Sequence, residues 1–182
     1  MMNELNVLSE LMESPQNGYK LQKTLQIPFD HYRKVSFGVI YPLLNRLEAA
    51  GAITLSTSAS SPKTKVATIT EAGKQRFFEL MAEPIPKGAH TDDIYRIKLD
   101  AMQHLPLSTQ LDLLNDYKLE QESIIRDAKD NIAHLDAVDK TDHWYAAQRI
   151  NLQIIQAQAT LTWIADFQEQ LTTNEVSHVT TN

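Results

Sequence analysis

The stretch SFGVIYPLLNRLEAAGAITLSTSASSPKTKVATITEAGKQRFFEL, residues 36–80, decides the fold. From Phe37 to Ala50, the residues Ile40, Leu43, Leu44 and Leu47 recur at i, i+3, i+4 and i+7. That spacing is the inner stripe of an amphipathic helix. Ser36 stands where an N-cap is preferred, and Gly51 where a helix ends in the left-handed conformation. Pro42 cannot donate to the carbonyl four residues back, so it belongs near the first turn or behind a looser one. The period then changes. AITLST (52–57) and TKVATI (64–69) are short and β-branched, and SASSPK between them is polar and turn-rich. This predicts a two-stranded hairpin with a basic tip at Lys63 and Lys65. Thr70 caps the next helix, which carries Phe77, Phe78 and Leu80.

Upstream, ELNVLSELME (4–13) places Leu5, Leu8, Leu11 and Met12 at helical spacing. Ser14-Pro15-Gln16-Asn17-Gly18 reads as a turn. YKLQKTLQ (19–26) sets Leu21 and Leu25 four apart, with Lys20 and Lys23 outside, until Pro28 stops the helix. Three helices, two strands and a helix, with a glycine-containing turn between the first two helices, are the plan of a winged helix-turn-helix. The third helix then presents Ser36, Val39, Pro42, Asn45 and Arg46 outward. A helix fits the DNA major groove, where short polar side chains and Arg reach base edges. Lys63 and Lys65 on the hairpin would meet phosphates.

Downstream, EPIPKGAHTD (83–92) reads as a linker, and nearly everything after it as helix. A short helix spans 93–103, Ser108 caps a long one to about residue 138, Asp139–Asp142 turn, and a last helix runs from about 143 to 171. Leu111, Leu114, Lys118, Gln121, Ile125, Ala128, Ile132 and Leu135 step by three and four. So do Ile150, Ile154, Ala157, Leu161, Ile164, Gln168 and Leu171, which gives a heptad seam. The last helix carries a second stripe: Leu152, Ile155, Ala159, Trp163 and Phe167. Two apolar faces on one helix call for a second subunit, hence a homodimer with Ile154, Leu161, Trp163, Ile164 and Phe167 at its interface. The expected class is therefore mainly α. Residues 1–82 form a winged helix-turn-helix DNA-binding domain, 83–92 a linker, 93–173 a helical dimerisation domain, and 174–182 a flexible tail.

Charge supports this division. The net charge of −6 hides +2 over residues 1–82 and −8 over 83–182, and residues 18–76 alone carry +6. Halves of opposite sign suit different partners. With no cysteine there is no thiolate metal site, no Cys nucleophile and no disulfide scaffold, which suits a reducing compartment. No apolar run approaches the ~20 residues of a bilayer span, and the first residues lack a signal-peptide pattern. The expected location is the cytoplasm. His31, His90, His104, His134, His143 and His178 follow no metal-ligand spacing, and neither GxSxG nor a glycine-rich phosphate loop is present. The chain is expected to be no enzyme and to need no metal or cofactor.

NGYKLQKTL, SFGVIYPLLNRLEAAGAI and TKVATITEAGKQRFFELM resemble the PadR family of bacterial transcriptional regulators over residues 7–82. Length and helix pattern resemble the longer, AphA-like subfamily, with its C-terminal dimerisation helices. The resemblance implies a dimeric repressor on a palindromic double-stranded DNA operator. It places Tyr19, Ser36, Phe37, Val39, Tyr41, Asn45, Arg46, Lys63 and Lys65 at the DNA. Ser-Phe-Gly-Val offers few hydrogen-bonding side chains, so specificity is expected to lean on thymine methyls and on DNA shape. Some family members respond to phenolic acids, which makes Tyr95, Arg96, His143, Trp144 and Tyr145 candidates for a small aromatic effector. The alternative reading is a winged-helix adaptor for protein partners that binds no specific DNA. On spacing alone, Tyr19 and Tyr41 also suit a core edge, Trp144 and Trp163 suit packing, and the lysines suit a solvated loop.

Overall fold

A computed structural model describes residues 2–29, 36–58, 61–137 and 143–179; side chains at 58, 61–64, 136–137 and 174–179 lie outside it. Two compact units divide the chain, Met1–His104 and Leu105–Asn182.

In the first unit, α1 (Met2–Glu13) leads into β1 (Gln16–Asn17), α2 (Gly18–Thr24), α3 (Phe37–Ala49), β2 (Ile53–Ser58), β3 (Ser61–Ile69), α4 (Glu71–Ala82) and α5 (Thr91–Ala101). A short 3-10 turn, Met102–His104, ends it. Leu5, Val7, Leu8 and Leu11 of α1, Leu21 of α2, and Phe77 and Leu80 of α4 are all buried. The inner stripe of α3, Ile40, Leu43, Leu44 and Leu47, faces the same core.

The wing has a third strand. Segment 14–18 was expected to be a turn, but Gln16 and Asn17 pair antiparallel with Ala67 and Val66 on the free edge of β3, in the order β1-β3-β2. The buried Gln16 amide fixes the pairing: Nε2 donates to the Glu10 carbonyl at 3.1 Å, and Oε1 accepts from the Thr24 hydroxyl at 3.3 Å. Asn17 then caps α2, its Oδ1 accepting from Lys20 N at 2.9 Å.

α3 ends as its sequence requires. Gly51 N donates to Glu48 O and Ala52 N to Leu47 O, both at 2.9 Å, with Gly51 at φ +73°. That is the Schellman arrangement. Ser36 holds the N-cap position, but its side chain makes no capping bond. Pro42 lies inside α3, so the Gly38 carbonyl receives no bond from residue 42.

Thr70 joins the wing to α4. Its hydroxyl accepts from Gly73 N at 3.1 Å and donates to Gly51 O at 2.6 Å, while its own N–H donates to Ala52 O at 3.0 Å. Arg76 ties α4 to α1 through Glu4 at 3.1 Å and also meets Glu79 and Glu83. These carboxylates, Glu4 first, hold its pKa above the ordinary guanidinium value.

The proline-rich stretch 83–92 does not divide the two units, because α5 belongs to the first. Ile94 and Ile97 are buried, and the buried Lys98 ammonium donates to Met81 O at 2.8 Å and to Glu83 O at 2.6 Å. These are carbonyls at the end of α4, where a cation is favoured.

The second unit is a pair of long helices, α6 (Leu107–Ala137) and α7 (Trp144–Val179). α6 starts at Leu107, so Ser108 lies inside the helix instead of capping it. α7 continues to Val179, past the start of the expected tail at 174, since no Gly or Pro interrupts the polar segment. The expected turn at 139–142 lies outside the described residues. Leu113, Leu114, Tyr117, Gln121 and Ala128 of α6 are buried, as are Ile150, Ala157 and Ile164 of α7. Lys118, which the heptad spacing put on the seam, is exposed, and Tyr117 is buried in its stead. Leu152, Ile155 and Trp163 stay 54%, 60% and 45% exposed, so the second stripe of α7 is uncovered within the chain.

Candidate nucleic-acid interface

The start of α2, the outer side of α3 and the wing enclose an open groove of about 710 Å³. Tyr19, Tyr41, Asn45 and Lys65 line it with Asn17, Gly18, Leu44 and Leu55. Four of the nine residues proposed from the sequence thus meet in one place. They arrive by three local routes. Asn17 caps α2 and sets Tyr19 just inside the helix, 58% exposed, with the Lys23 ammonium 4.5 Å from its ring centre. Tyr41 and Asn45 stand one turn apart on α3. Lys65 lies on β3 opposite Thr57 and is exposed.

Gly18 lets α2 and α3 come close. A Cβ there would lie 2.9 Å from the Tyr41 hydroxyl oxygen and 3.0 Å from Cζ. Asn17, Gly18 and Leu55 join the groove although none is a site candidate by sequence. An Asn directly before a helix start was a visible capping signal, whereas the Gly18–Tyr41 approach is set by tertiary packing.

Ser36, Phe37, Val39 and Arg46 are also exposed, but do not line the groove. Ser36, Phe37 and Val39 cluster at the start of α3, where the Phe37 and Tyr41 rings stack at 5.9 Å. Arg46 is in the last turn of α3. Lys63 falls in β3, and its side chain lies outside the described residues.

The five effector candidates are split between the units. Tyr95 is buried on α5, and Arg96 meets Asp92 at 3.4 Å. In the second unit, His143 is partly buried, while Trp144 and Tyr145 are exposed and pack edge to face at 4.8 Å. Of the interface candidates, Ile164 is buried in the α6–α7 pair, Ile154 and Leu161 are partly covered, and Trp163 leans on Phe167 at 5.2 Å along the outer stripe. Among the described residues, no helix is long and apolar enough to cross a membrane, and no group of three or more His, Asp or Glu is placed to hold a metal.

A helix-turn-helix bearing a three-stranded wing makes the first unit a winged helix-turn-helix. Residues 7–79 match the transcriptional regulator PadR-like family and form a PadR-like domain. No curated protein matches the chain. Among solved structures, Bacillus subtilis PadR in complex with operator DNA is 17% identical with a TM-score of 0.45, covering 94% of this chain and 99% of that one. The same protein in complex with p-coumaric acid gives 18% and 0.42, over 94% and 99%. The Vibrio cholerae virulence activator AphA gives 18% and 0.38, over 93% and 98%. With TM-scores under 0.5 these likenesses add no weight, and the assignment of residues 7–79 rests on the family match.

Proposed function

We propose that this chain is a dimeric, sequence-specific DNA-binding repressor of transcription, acting in the cytoplasm without enzymatic chemistry. One observation carries the reading: a PadR-like domain gathers Tyr19, Tyr41, Asn45 and Lys65 in one groove beside the exposed outer face of α3. In this reading α3 enters the major groove and Lys65 meets phosphate. Lys63, on the same strand, is proposed to do likewise. Tyr19 and Asn45 serve as polar contacts at the groove edge, and Arg46 reaches a base or phosphate from the end of α3. A small aromatic effector belongs to the proposal through the family resemblance alone.

Selection of bound duplexes from a random library by the purified protein tests this. The expected outcome is one enriched motif arranged as an inverted repeat, because two-fold protein symmetry is mirrored in the operator. A pool that stays random after repeated rounds would favour the adaptor reading.

In this proposal the uncovered stripe of α7 is where a second copy packs. Leu152, Ile155 and Trp163 of that stripe are large, apolar and exposed. Sedimentation equilibrium should give twice the chain mass, and Trp163→Lys should give a folded monomer. A monomeric wild-type chain at micromolar concentration would contradict the dimer.

A further inference from the structure

We infer that the apolar start of α3 reads thymine 5-methyl groups, with Val39 and the Phe37–Tyr41 pair as the reading surface; this rests on the DNA-binding function proposed above. The first five residues of α3 hold three large side chains turned out of the core: Phe37 at 40%, Val39 at 43% and Tyr41 at 49% exposure. The same helix buries Ile40 to 1%, so this outward apolar surface is not a poorly packed part of the core stripe. It is also ordered in advance, because the Phe37 and Tyr41 rings stack on each other at 5.9 Å.

Gly38 sits among these residues. A Cβ built there would meet only the Ser36 Oγ, at 3.7 Å. Folding therefore does not require glycine at this position, and helix propensity disfavours it. A side-chain-free site on the exposed first turn suits a surface that another molecule approaches closely.

The occupant is constrained by what adjoins the patch. Tyr41 belongs to both the patch and the groove, which continues to Asn45 and Lys65. The surrounding segment, residues 18–76, carries +6. An apolar surface that continues through the groove to Lys65, in a net basic stretch of the chain, matches duplex DNA, whose major groove presents one apolar group, the C5 methyl of thymine. A purely apolar protein partner would leave the adjoining charge unused.

The test uses the duplex enriched by selection, resynthesised with deoxyuridine in place of thymine one position at a time. This removes a methyl and leaves base pairing and hydrogen-bonding groups intact. Each contacted thymine should weaken wild-type binding about fourfold on losing its methyl. In Val39→Ala, the thymine-to-uridine difference should vanish at one position in each half-site and persist at the others, which separates a direct contact from a change in DNA shape. Gly38→Ala should melt no lower than wild type yet bind the thymine duplex more weakly.

Uridine and thymine duplexes bound alike, while Arg46→Ala still weakens binding, would overturn methyl reading and leave DNA binding standing. Differences that persist unchanged in Val39→Ala would also overturn it. If selection enriches no duplex, both proposals fall, and the patch belongs to a protein partner.

Discussion

Gly73→Ala lowers the melting temperature of the first unit by roughly 12–24 °C, read by calorimetry. The reason is steric. A Cβ on Gly73 would lie 2.0 Å from the Ala52 carbonyl oxygen, 2.9 Å from its carbonyl carbon and 2.8 Å from Ile69 Cγ1. Two of these atoms are backbone and cannot swing aside as a side chain could. Ala52 is also held on both sides: its carbonyl accepts from Thr70 N at 3.0 Å, and its N–H closes the end of α3 on Leu47 O at 2.9 Å. The added methyl therefore has to push α4 away from the junction of α3 and the wing. α4 carries Phe77 and Leu80, both fully buried, so the push opens the core. Overpacking costs about 1–3 kcal/mol, and a contact with fixed backbone sits at the upper end. For a unit of this size each kcal/mol is worth about 4–8 °C. Melting at the wild-type temperature would mean that α4 does not approach Ala52 this closely.

The double variant Arg46→Ala/Lys65→Ala is expected to weaken duplex binding by roughly 10²–10³-fold at moderate salt. Both side chains are exposed, so the melting temperature should hold, surface changes staying within about 0.5 kcal/mol. The two residues stand on different elements, at the end of α3 and on β3. A dimer doubles each loss. The slope of log affinity against log salt should fall by about one for each phosphate contact removed. Fluorescence anisotropy with the selected duplex measures both quantities. Unchanged affinity with an unchanged slope would place the DNA elsewhere on the molecule.

How much was legible in the sequence depended on whether a signal was local. The stripe Ile40, Leu43, Leu44, Leu47 and the glycine after it announced α3, because periodicity and C-capping act within a few residues. Thr70 was legible as a cap for the same reason. β1 was not: two residues have no periodicity, and Gln16 and Asn17 form a strand only because β3 offers a free edge. The proline-rich stretch 83–92 looks like a boundary by composition, yet Lys98 reaches back from α5 to the last carbonyls of α4. Such a buried lysine gives no sign in a sequence where lysines are normally exposed. At the site, Asn45 followed from helical spacing, whereas Tyr41 was named through the family resemblance, since spacing alone also suits it to a core edge. Gly18 and Leu55 needed the packing of α2 and the wing against α3 to become part of the groove. The exposed stripe of α7, Leu152, Ile155 and Trp163, was read from spacing alone and is the stripe left uncovered within the chain.

The most direct test of the central claim is one titration. Labelled selected duplex and a scrambled duplex of the same composition are titrated with the wild-type protein at roughly 50 mM and 200 mM salt. The account predicts tight binding of the selected duplex only, with affinity falling about 10³-fold or more between the two salts if six or more phosphates are contacted. Weak, equal and salt-insensitive binding of both duplexes would contradict it.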